Sequence, residues 1–225
     1  MRRPVTTGPQ AVVLGRLGKL PTAAISDALD REGIPGALEG LAPLSDDFRV
    51  AGPAFTIRYA PADSAASTVG DFLDEVPPGA VIVIDNDARR DVTVWGGIMT
   101  EVASIRGIAG TVINGVCRDV AASLTHRYPL FSRGRFMRTG KDRVRLVSVG
   151  RQLTISGVDI HPGAIVCADA DGVVAVPAAS AERIADVAER IEQTESQIVA
   201  AVRAGSRLRQ ARETFGYHRL QRRRS

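Results

Sequence analysis

Trp95-Gly96-Gly97-Ile98-Met99-Thr100-Glu101, then Arg106-Gly107-Ile108-Ala109-Gly110, then Thr111-Val112-Ile113-Asn114-Gly115-Val116 and Cys117-Arg118-Asp119: this stretch reads as a glycine-opened helix, a turn, a strand, and an Arg-Asp pair at the strand's far end. Upstream, Ala80-Val81-Ile82-Val83-Ile84-Asp85 is a continuous apolar strand, and a polar loop from Asn86 to Asp91 leads to the helix. Strand, helix and strand in succession point to an α/β layer architecture. In open α/β sheets ligands gather outside the carboxyl ends of strands. The Arg-Asp pair falls at such an end.

Working outward, residues 1–20 read as a loose lead-in and a short helix. Thr22 suits an N-cap for a helix through Arg31, ended by Glu32-Gly33-Ile34-Pro35-Gly36. Arg49 to Tyr59 alternates as a strand does, and Asp63 to Glu75 reads as a helix closed by the turn Pro77-Pro78-Gly79. After Asp119 the pattern gives a helix to about His126, a short strand at Pro129-Leu130-Phe131, and a basic loop from Ser132 to Arg143. Val144 to Ile155 alternates weakly, and Gly157 to Gly163 reads as a turn. Ala164 to Asp169 and Val173 to Pro177 are strands joined at Asp171-Gly172. From Ala181 to about Arg203 an amphipathic helix places Ile184, Val187, Ile191, Ile198 and Val202 near one stripe. The expected fold class is one α/β domain with a C-terminal helical arm. Such an arm can pack on a neighbouring subunit or dock on its own domain.

The 225 residues are 44% hydrophobic and 24% charged, the composition of a folded chain. Aromatic residues are only 4%, so the core must be aliphatic, which suits buried strands flanked by helices. The net charge of +4 is uneven: from Arg203 onward eight Arg and one Glu give +7, leaving −3 for residues 1–202. Basic character belongs to the tail, which can touch an acidic partner or remain a solvated end. Cys117 and Cys167 sit in apolar runs and read as small buried hydrophobes. Neither a membrane-length apolar stretch nor a signal-peptide pattern is read, so the expected location is cytoplasmic.

Three ingredients of carbonyl chemistry converge on the opening stretch. A bare helix N-terminus offers N–H groups to an anionic carboxylate. Arg118 can stabilise a developing oxyanion. Asp119 can hold a hard divalent cation, which keeps several waters and needs one or two carboxylates. Each feature has a plainer role: Asp119 as the N-cap of the following helix, Arg118 as its surface partner, Gly96-Gly97 as close packing under Trp95. Arg133, Arg135, Arg138, Lys141 and Arg143 form a basic loop that either guides an anionic substrate or is only solvated. His161, in a turn, and His126, at a helix end, suit surface roles. Asp169 and Asp171 suit turn roles.

The run Val94-Trp95-Gly96-Gly97 through Gly107 to Asp119 resembles the RraA-like family, which includes the 4-hydroxy-4-methyl-2-oxoglutarate aldolases. Supporting matches are Thr22 to Leu29, Gly52-Pro53-Ala54-Phe55-Thr56, Pro162 to Val166, and Asp169 to Val174, so the resemblance covers roughly residues 15–205. It implies a lead-in at 1–14, a family domain at 15–205 and a basic tail at 206–225. The fold implied is a single swivelling β/β/α domain, assembled as a homotrimer or hexamer with sites between subunits. The chemistry implied is a class II, divalent-metal (Mg²⁺ or Mn²⁺) lyase that cleaves 4-hydroxy-2-oxo acids to pyruvate and decarboxylates oxaloacetate. By position, Arg118 matches the substrate-binding arginine and Asp119 the direct metal ligand. The backbone of Gly97, Ile98, Met99 and Thr100 matches the loop that holds the pyruvate carboxylate.

The chain departs from the family pattern at one place. The aldolases carry an acid, then twenty residues, then Arg-Asp, and here that acid position is Gly97. Glu101, one helical turn on and roughly 6 Å along the axis, either substitutes for it as a catalytic acid through a water or faces solvent. The family's sites also take a carboxylate from a neighbour's C-terminal arm, for which Glu192 and Glu195 are candidates. An alternative function is a non-catalytic binding protein that regulates a ribonuclease. Relatives of that kind lack the Arg-Asp pair, so a ribonuclease or nucleic-acid partner is disfavoured. A methyltransferase role is disfavoured too, because no glycine-rich methyl-donor fingerprint follows a first strand.

Overall fold

The computed structural model describes residues 9–62, 69–217 and 220. In chain order it forms α1 (Pro9–Leu17), α2 (Thr22–Arg31), β1 (Ala42–Pro43), β2 (Val50–Pro61), β3 (Val81–Asp85), α3 (Gly97–Ile105), β4 (Gly110–Asn114), α4 (Val120–Thr125) and β5 (Leu130–Ser132). It continues with β6 (Val144–Val149), β7 (Leu153–Ile155), β8 (Val158–Ile160), β9 (Ile165–Asp169), β10 (Gly172–Val176), α5 (Ala181–Arg203) and α6 (Leu208–Thr214).

The main sheet runs β1-β5-β4-β3-β2-β9-β10, with β6 pairing to the far end of β2. The strands β2, β3, β4 and β5 are parallel. The rest join antiparallel. Every residue of β3 and β4 is buried, as continuous aliphatic runs require when both faces of a parallel strand are covered. A bridge between Ala37 and Val174 ties the chain ahead of β1 to β10, so the sheet curls nearly closed. The twelve-residue β2 pairs with β9 through Val50–Pro53, with β3 through Ala54–Arg58, and with β6 through Ile57–Pro61.

Two apolar clusters fill the interior. The larger lies within the sheet and under α3, and includes Ile57, Ile82, Ile84, Trp95, Ala103, Ile113 and Phe131. The smaller joins α1, α2 and α5 to β9 and β10, through Leu17, Ile25, Leu29, Cys167, Val176, Ile184 and Ile191. The C-terminal arm α5 therefore docks its stripe on its own chain. Ile184, Val187, Ile191 and Ile198 are buried, while Val202 is exposed, because the helix has run past α2 by then. Arg16 of α1 clamps α5 through Glu189 (2.8 and 2.7 Å) and Asp186 (2.6 Å).

Several local expectations change. Pro21, not Thr22, holds the N-cap position of α2, and Thr22 is its first residue. The cap is supplied from a distance: Thr22 N–H and Oγ1–H donate to the two carboxylate oxygens of Asp169 (2.9 and 2.5 Å). The weakly alternating run from Val144 divides into β6 and β7, which belong to different sheets. The expected turn at Gly157–Gly163 contains β8, which hairpins onto β7 through Ser156 and Gly157 at φ 52° and 77°. The β9–β10 turn is Ala170-Asp171, with Gly172 already opposite Asp169 in the ladder. In the expected helix from Asp63, residues 63–68 lie outside the described residues, and Asp71–Glu75 forms a 3-10 turn.

Candidate active site

Since β3 and β4 run parallel, the loops that leave their carboxyl ends emerge on the same side of the sheet. The first leads to Gly96-Gly97 and α3, the second to Arg118-Asp119 and α4. They are stitched together. Arg118 N–H donates to the Trp95 carbonyl (3.1 Å), and Thr93 Oγ1 lies 2.9 Å from both the Trp95 and Val116 carbonyls. Trp95 is fully buried, donates its indole N–H to Thr100 Oγ1 (2.9 Å) and stacks on Tyr128. This fixes the entry into α3. Behind the site, Asn114 Nδ2 donates to Asp85 Oδ1 (2.7 Å) and Arg133 Nε donates to Asn114 Oδ1 (2.5 Å), so the polar ends of both strands are satisfied.

Asp119 resolves its two expected roles. It occupies the N-cap position of α4, yet its side chain makes no cap bond there. Its backbone is left-handed, φ 55° and ψ 43°, which costs a non-glycine residue of order 1 kcal/mol. That conformation turns the carboxylate away from its own helix and onto α3, where Oδ2 accepts the Gly97 N–H (2.8 Å). Arg118 Nε lies 3.6 Å from the same oxygen, and both side chains remain well exposed, 38% and 50%. The glycines lie against this pair. A Cβ on Gly96 would come 2.9 Å from Asp119 Oδ2 and 3.2 Å from Arg118 Nε, whereas one on Gly97 would meet nothing nearer than 3.4 Å.

A cavity of about 440 Å³ opens beside this pair, a size that suits a small-molecule ligand. Gly96, Gly97, Ile98 and Met99 line it together with Arg118 and Asp119, so the structure brings most of the expected residues to one place. Thr100 is different: it is buried and its N–H is spent on the Gly96 carbonyl (3.1 Å), the first bond of the helix. Gly97 N–H serves Asp119. Ile98 and Met99 precede the first intrahelical bond, so their N–H groups have no partner within the helix. Glu101 is exposed on α3 and does not line the cavity. Glu192 and Glu195 sit on α5, far along the chain from this wall. Burial, with Asp27 and Glu192 adding like charge, pushes the Glu195 carboxyl up from its ordinary range.

The cavity is also lined by residues that motif reading did not bring here: Val69, Asp71 and Thr139, with Lys141 of the basic loop. Other members of that loop are spent on structure. Arg135 reaches the Leu44 carbonyl, Arg143 the Thr139 and Lys141 carbonyls, and Arg138 lies over Phe136. Among the described residues no group of three His, Cys, Asp or Glu side chains forms a metal cage. The donor set fits another kind of ion. One half-exposed carboxylate, with Oδ2 already holding an N–H, suits a hard divalent cation whose remaining positions go to water and ligand oxygens.

The RraA-like family model, described as Aldolase/RraA, matches residues 22–175. Protein DlpA of Legionella pneumophila is 40% identical over 208 residues, which are 91% of this chain and 34% of that protein, so the chain spans about a third of its length. A protein of Halalkalibacterium halodurans named "Putative 4-hydroxy-4-methyl-2-oxoglutarate aldolase" is 35% identical over 194 residues, 82% of this chain and 89% of that one. A crystal structure of a Pseudomonas syringae protein is 44% identical with a TM-score of 0.83, covering 89% of this chain and 96% of that one. Streptomyces coelicolor RraAS2, described as an unusual member of the RNase ES inhibitor RraA protein family, is 27% identical with a TM-score of 0.80, covering 87% and 100%. The fold is thus the α/β, swivelling β/β/α domain with a C-terminal helical arm. Among the described residues no helix is long and apolar enough to cross a membrane.

Proposed function

The chain belongs to the RraA-like family, and from that premise we propose that it is a metal-dependent carbon–carbon lyase acting on a small 2-oxo acid. The substrate class would be a 4-hydroxy-2-oxo acid such as 4-hydroxy-4-methyl-2-oxoglutarate, oxaloacetate, or both. The observation that carries this reading is the left-handed Asp119, whose carboxylate is turned from its own helix to the mouth of a helix N-terminus beside a guanidinium.

Both reactions break the C3–C4 bond of a 2-oxo acid and leave the enolate of pyruvate. The N–H groups of Ile98 and Met99, at the positive end of α3, hold the substrate carboxylate. Arg118 donates to the 2-oxo oxygen, which gains negative charge as the bond breaks, and so lowers the barrier more than it tightens substrate binding. Asp119 would hold a divalent cation, Mg²⁺ or Mn²⁺, whose chemistry when bound is Lewis-acid polarisation of the 2-oxo group. Exposed apolar Ile98 and buried Met99 add apolar surface to the lining of the cavity. We propose a homotrimer or hexamer as the working form, in which Glu192 or Glu195 of a second copy adds a carboxylate to the rim.

The test is oxaloacetate decarboxylation and 4-hydroxy-4-methyl-2-oxoglutarate cleavage with Mg²⁺ or Mn²⁺, for wild type, Arg118→Ala and Asp119→Ala. Loss of on the order of 100-fold in kcat/KM is expected for each variant. Wild-type rates equal to those of Asp119→Ala would defeat the proposal. The other reading, a binding protein for a ribonuclease, draws on the likeness to RraAS2 and would then be tested by pull-down with and without residues 203–225.

A further inference from the structure

The ladder between β3 and β4 ends at Asp85 and Asn114. The segments that meet at the cavity come later in the chain: 93–97 leading into α3, 118–119 ahead of α4, and 139–141 of the basic loop. Their spacing is therefore set by contacts made beyond the ladder. Thr93 belongs to the first segment and reaches toward both others. It is 2% exposed. Its Oγ1 lies 2.9 Å from the carbonyls of both Trp95 and Val116 and accepts the Trp95 N–H (3.2 Å). A hydroxyl has one hydrogen, so the two carbonyls share it. One carbonyl stands just before Gly96-Gly97 and the other two residues before Arg118, whose own N–H meets the same Trp95 carbonyl (3.1 Å). The Thr93 backbone reaches the third segment. Its N–H donates to the Arg138 carbonyl (3.0 Å), it bridges Thr139, and its carbonyl packs so tightly on Gly140 that no Cβ fits there.

We infer that the Thr93 hydroxyl is a positioning group of this site: it holds the N-terminus of α3 and the Arg118-Asp119 pair at the separation that lets one small 2-oxo acid reach both. The inference rests on the lyase reading above and deepens it. Threonine suits the task because its branched Cβ leaves χ1 little freedom, so the hydroxyl keeps one direction. Valine has the same shape and no hydroxyl. In its place the Trp95 N–H would lose the Oγ1 acceptor, and the Trp95 and Val116 carbonyls would lose the hydrogen they share. Buried groups left short of a partner are costly, so the two segments would shift to recover one.

Such a shift acts on the reaction in a specific way. The substrate carboxylate rests on the N–H groups of Ile98 and Met99, within α3 itself, and a change between segments leaves that contact in place. Arg118 stands on the other segment and serves the charge that grows on the 2-oxo oxygen as the bond breaks. Moving it away weakens binding of the enolate more than binding of the keto acid. Thr93 thus acts through Arg118 and Asp119, without touching the reacting atoms.

The test compares Thr93→Val, which removes the hydroxyl, with Thr93→Ser, which keeps it. With added Mg²⁺ or Mn²⁺, Thr93→Val should lose about 10- to 100-fold in kcat/KM on whichever of oxaloacetate and 4-hydroxy-4-methyl-2-oxoglutarate the wild type turns over faster. Thr93→Ser should stay within about threefold. Inhibition separates placement from general loosening, because oxalate carries the extra charge of the enolate and pyruvate does not. In Thr93→Val the Ki of oxalate should rise at least about 10-fold, while that of pyruvate stays within about threefold. Circular dichroism verifies that each variant is folded. A folded Thr93→Val protein with wild-type kcat/KM, or with both inhibitors weakened equally, overturns the role for Thr93 and leaves the lyase reading standing. A folded Thr93→Ser protein that loses about 10-fold or more overturns it also, and this variant carries the test if Thr93→Val does not fold. A wild type that acts on neither substrate overturns the lyase reading itself, and the role of Thr93 with it.

Discussion

Gly96 and Gly97 are adjacent, yet they answer to different constraints. The space a Cβ would need at Gly96 is filled by Asp119 Oδ2 at 2.9 Å and Arg118 Nε at 3.2 Å, while at Gly97 the same atom would make ordinary contacts. Gly96→Ala should therefore push both side chains aside and, on the proposed lyase function, lower kcat/KM by at least about 10-fold, the scale of a slight misplacement of reacting groups. Gly97→Ala should stay within about threefold, and steady-state assays on the pair check the contrast. That Arg118 and Asp119 would lie beside Gly96-Gly97 was legible from their place at a strand end. What was not legible is which helix Asp119 serves. That depends on a backbone angle of φ 55°, and sequence alone favoured neither the N-cap role nor the pocket role. The place of Asp71 among the residues that line the cavity was hidden for another reason. Its approach to α3 arises from packing of Gly70 on Met99, a contact between segments distant in sequence that no local spacing encodes.

Strands built of unbroken aliphatic residues, β3, β4, β9 and β10, were legible as elements, and so was α5, whose stripe repeats with helical period. The β7–β8 hairpin was not. Its strands have three residues each, too few for alternation to register, and its turn places Ser156 at positive φ where glycine would be the usual signal. The start of α2 was misjudged in a more instructive way. Its first N–H and the hydroxyl of the same Thr22 both donate to Asp169, a strand residue whose side chain also accepts the Asp171 N–H (3.1 Å). One carboxylate thus caps a helix and closes a hairpin at once. Asp169→Ala should cost about 1–2 kcal/mol and lower Tm by about 2–8 °C, whereas Asp171→Ala, which removes no cap, should shift it by about 1 °C or less. Thermal unfolding followed by circular dichroism distinguishes them.

At the scale of the whole molecule, both clusters of the interior contain groups that burial keeps neutral to a higher pH than in the unfolded chain. Burial pushes the Cys167 thiol in the α1–α2–α5 cluster up to about 12 from an ordinary 9.0. Burial likewise pushes the Tyr59 phenol in the sheet cluster up to about 12 from 10.0, and raises Tyr128 as well. Below pH 9 these groups are protonated in both the folded and unfolded chain and add no pH dependence. Above it the unfolded chain sheds protons that the folded chain keeps, so stability falls as pH rises. Each group contributes a slope of about 1.4 kcal/mol per pH unit within its window. Denaturant-derived free energies should be level from pH 8 to 9 and then decline. Cys167→Ala should remove part of the slope that begins near pH 9, the rest belonging to buried Cys117, and Tyr59→Phe part of the slope that begins near pH 10, the rest belonging to Tyr128. The order of strands in the sheet, by contrast, was beyond sequence reading, since β2 finds β3 by a parallel pairing and β9 by an antiparallel one that closes a very long loop.

That shared use of β2 reaches into how the molecule comes apart. Its first residues hold the hairpin on which the terminal helices rest, its middle holds the strand that leads to the cavity, and its end holds β6. No scissile point along it leaves either portion with a complete ladder. A single cut within Val50–Pro61 would therefore separate the pairing that supports the helical layer from the pairing that leads to the cavity.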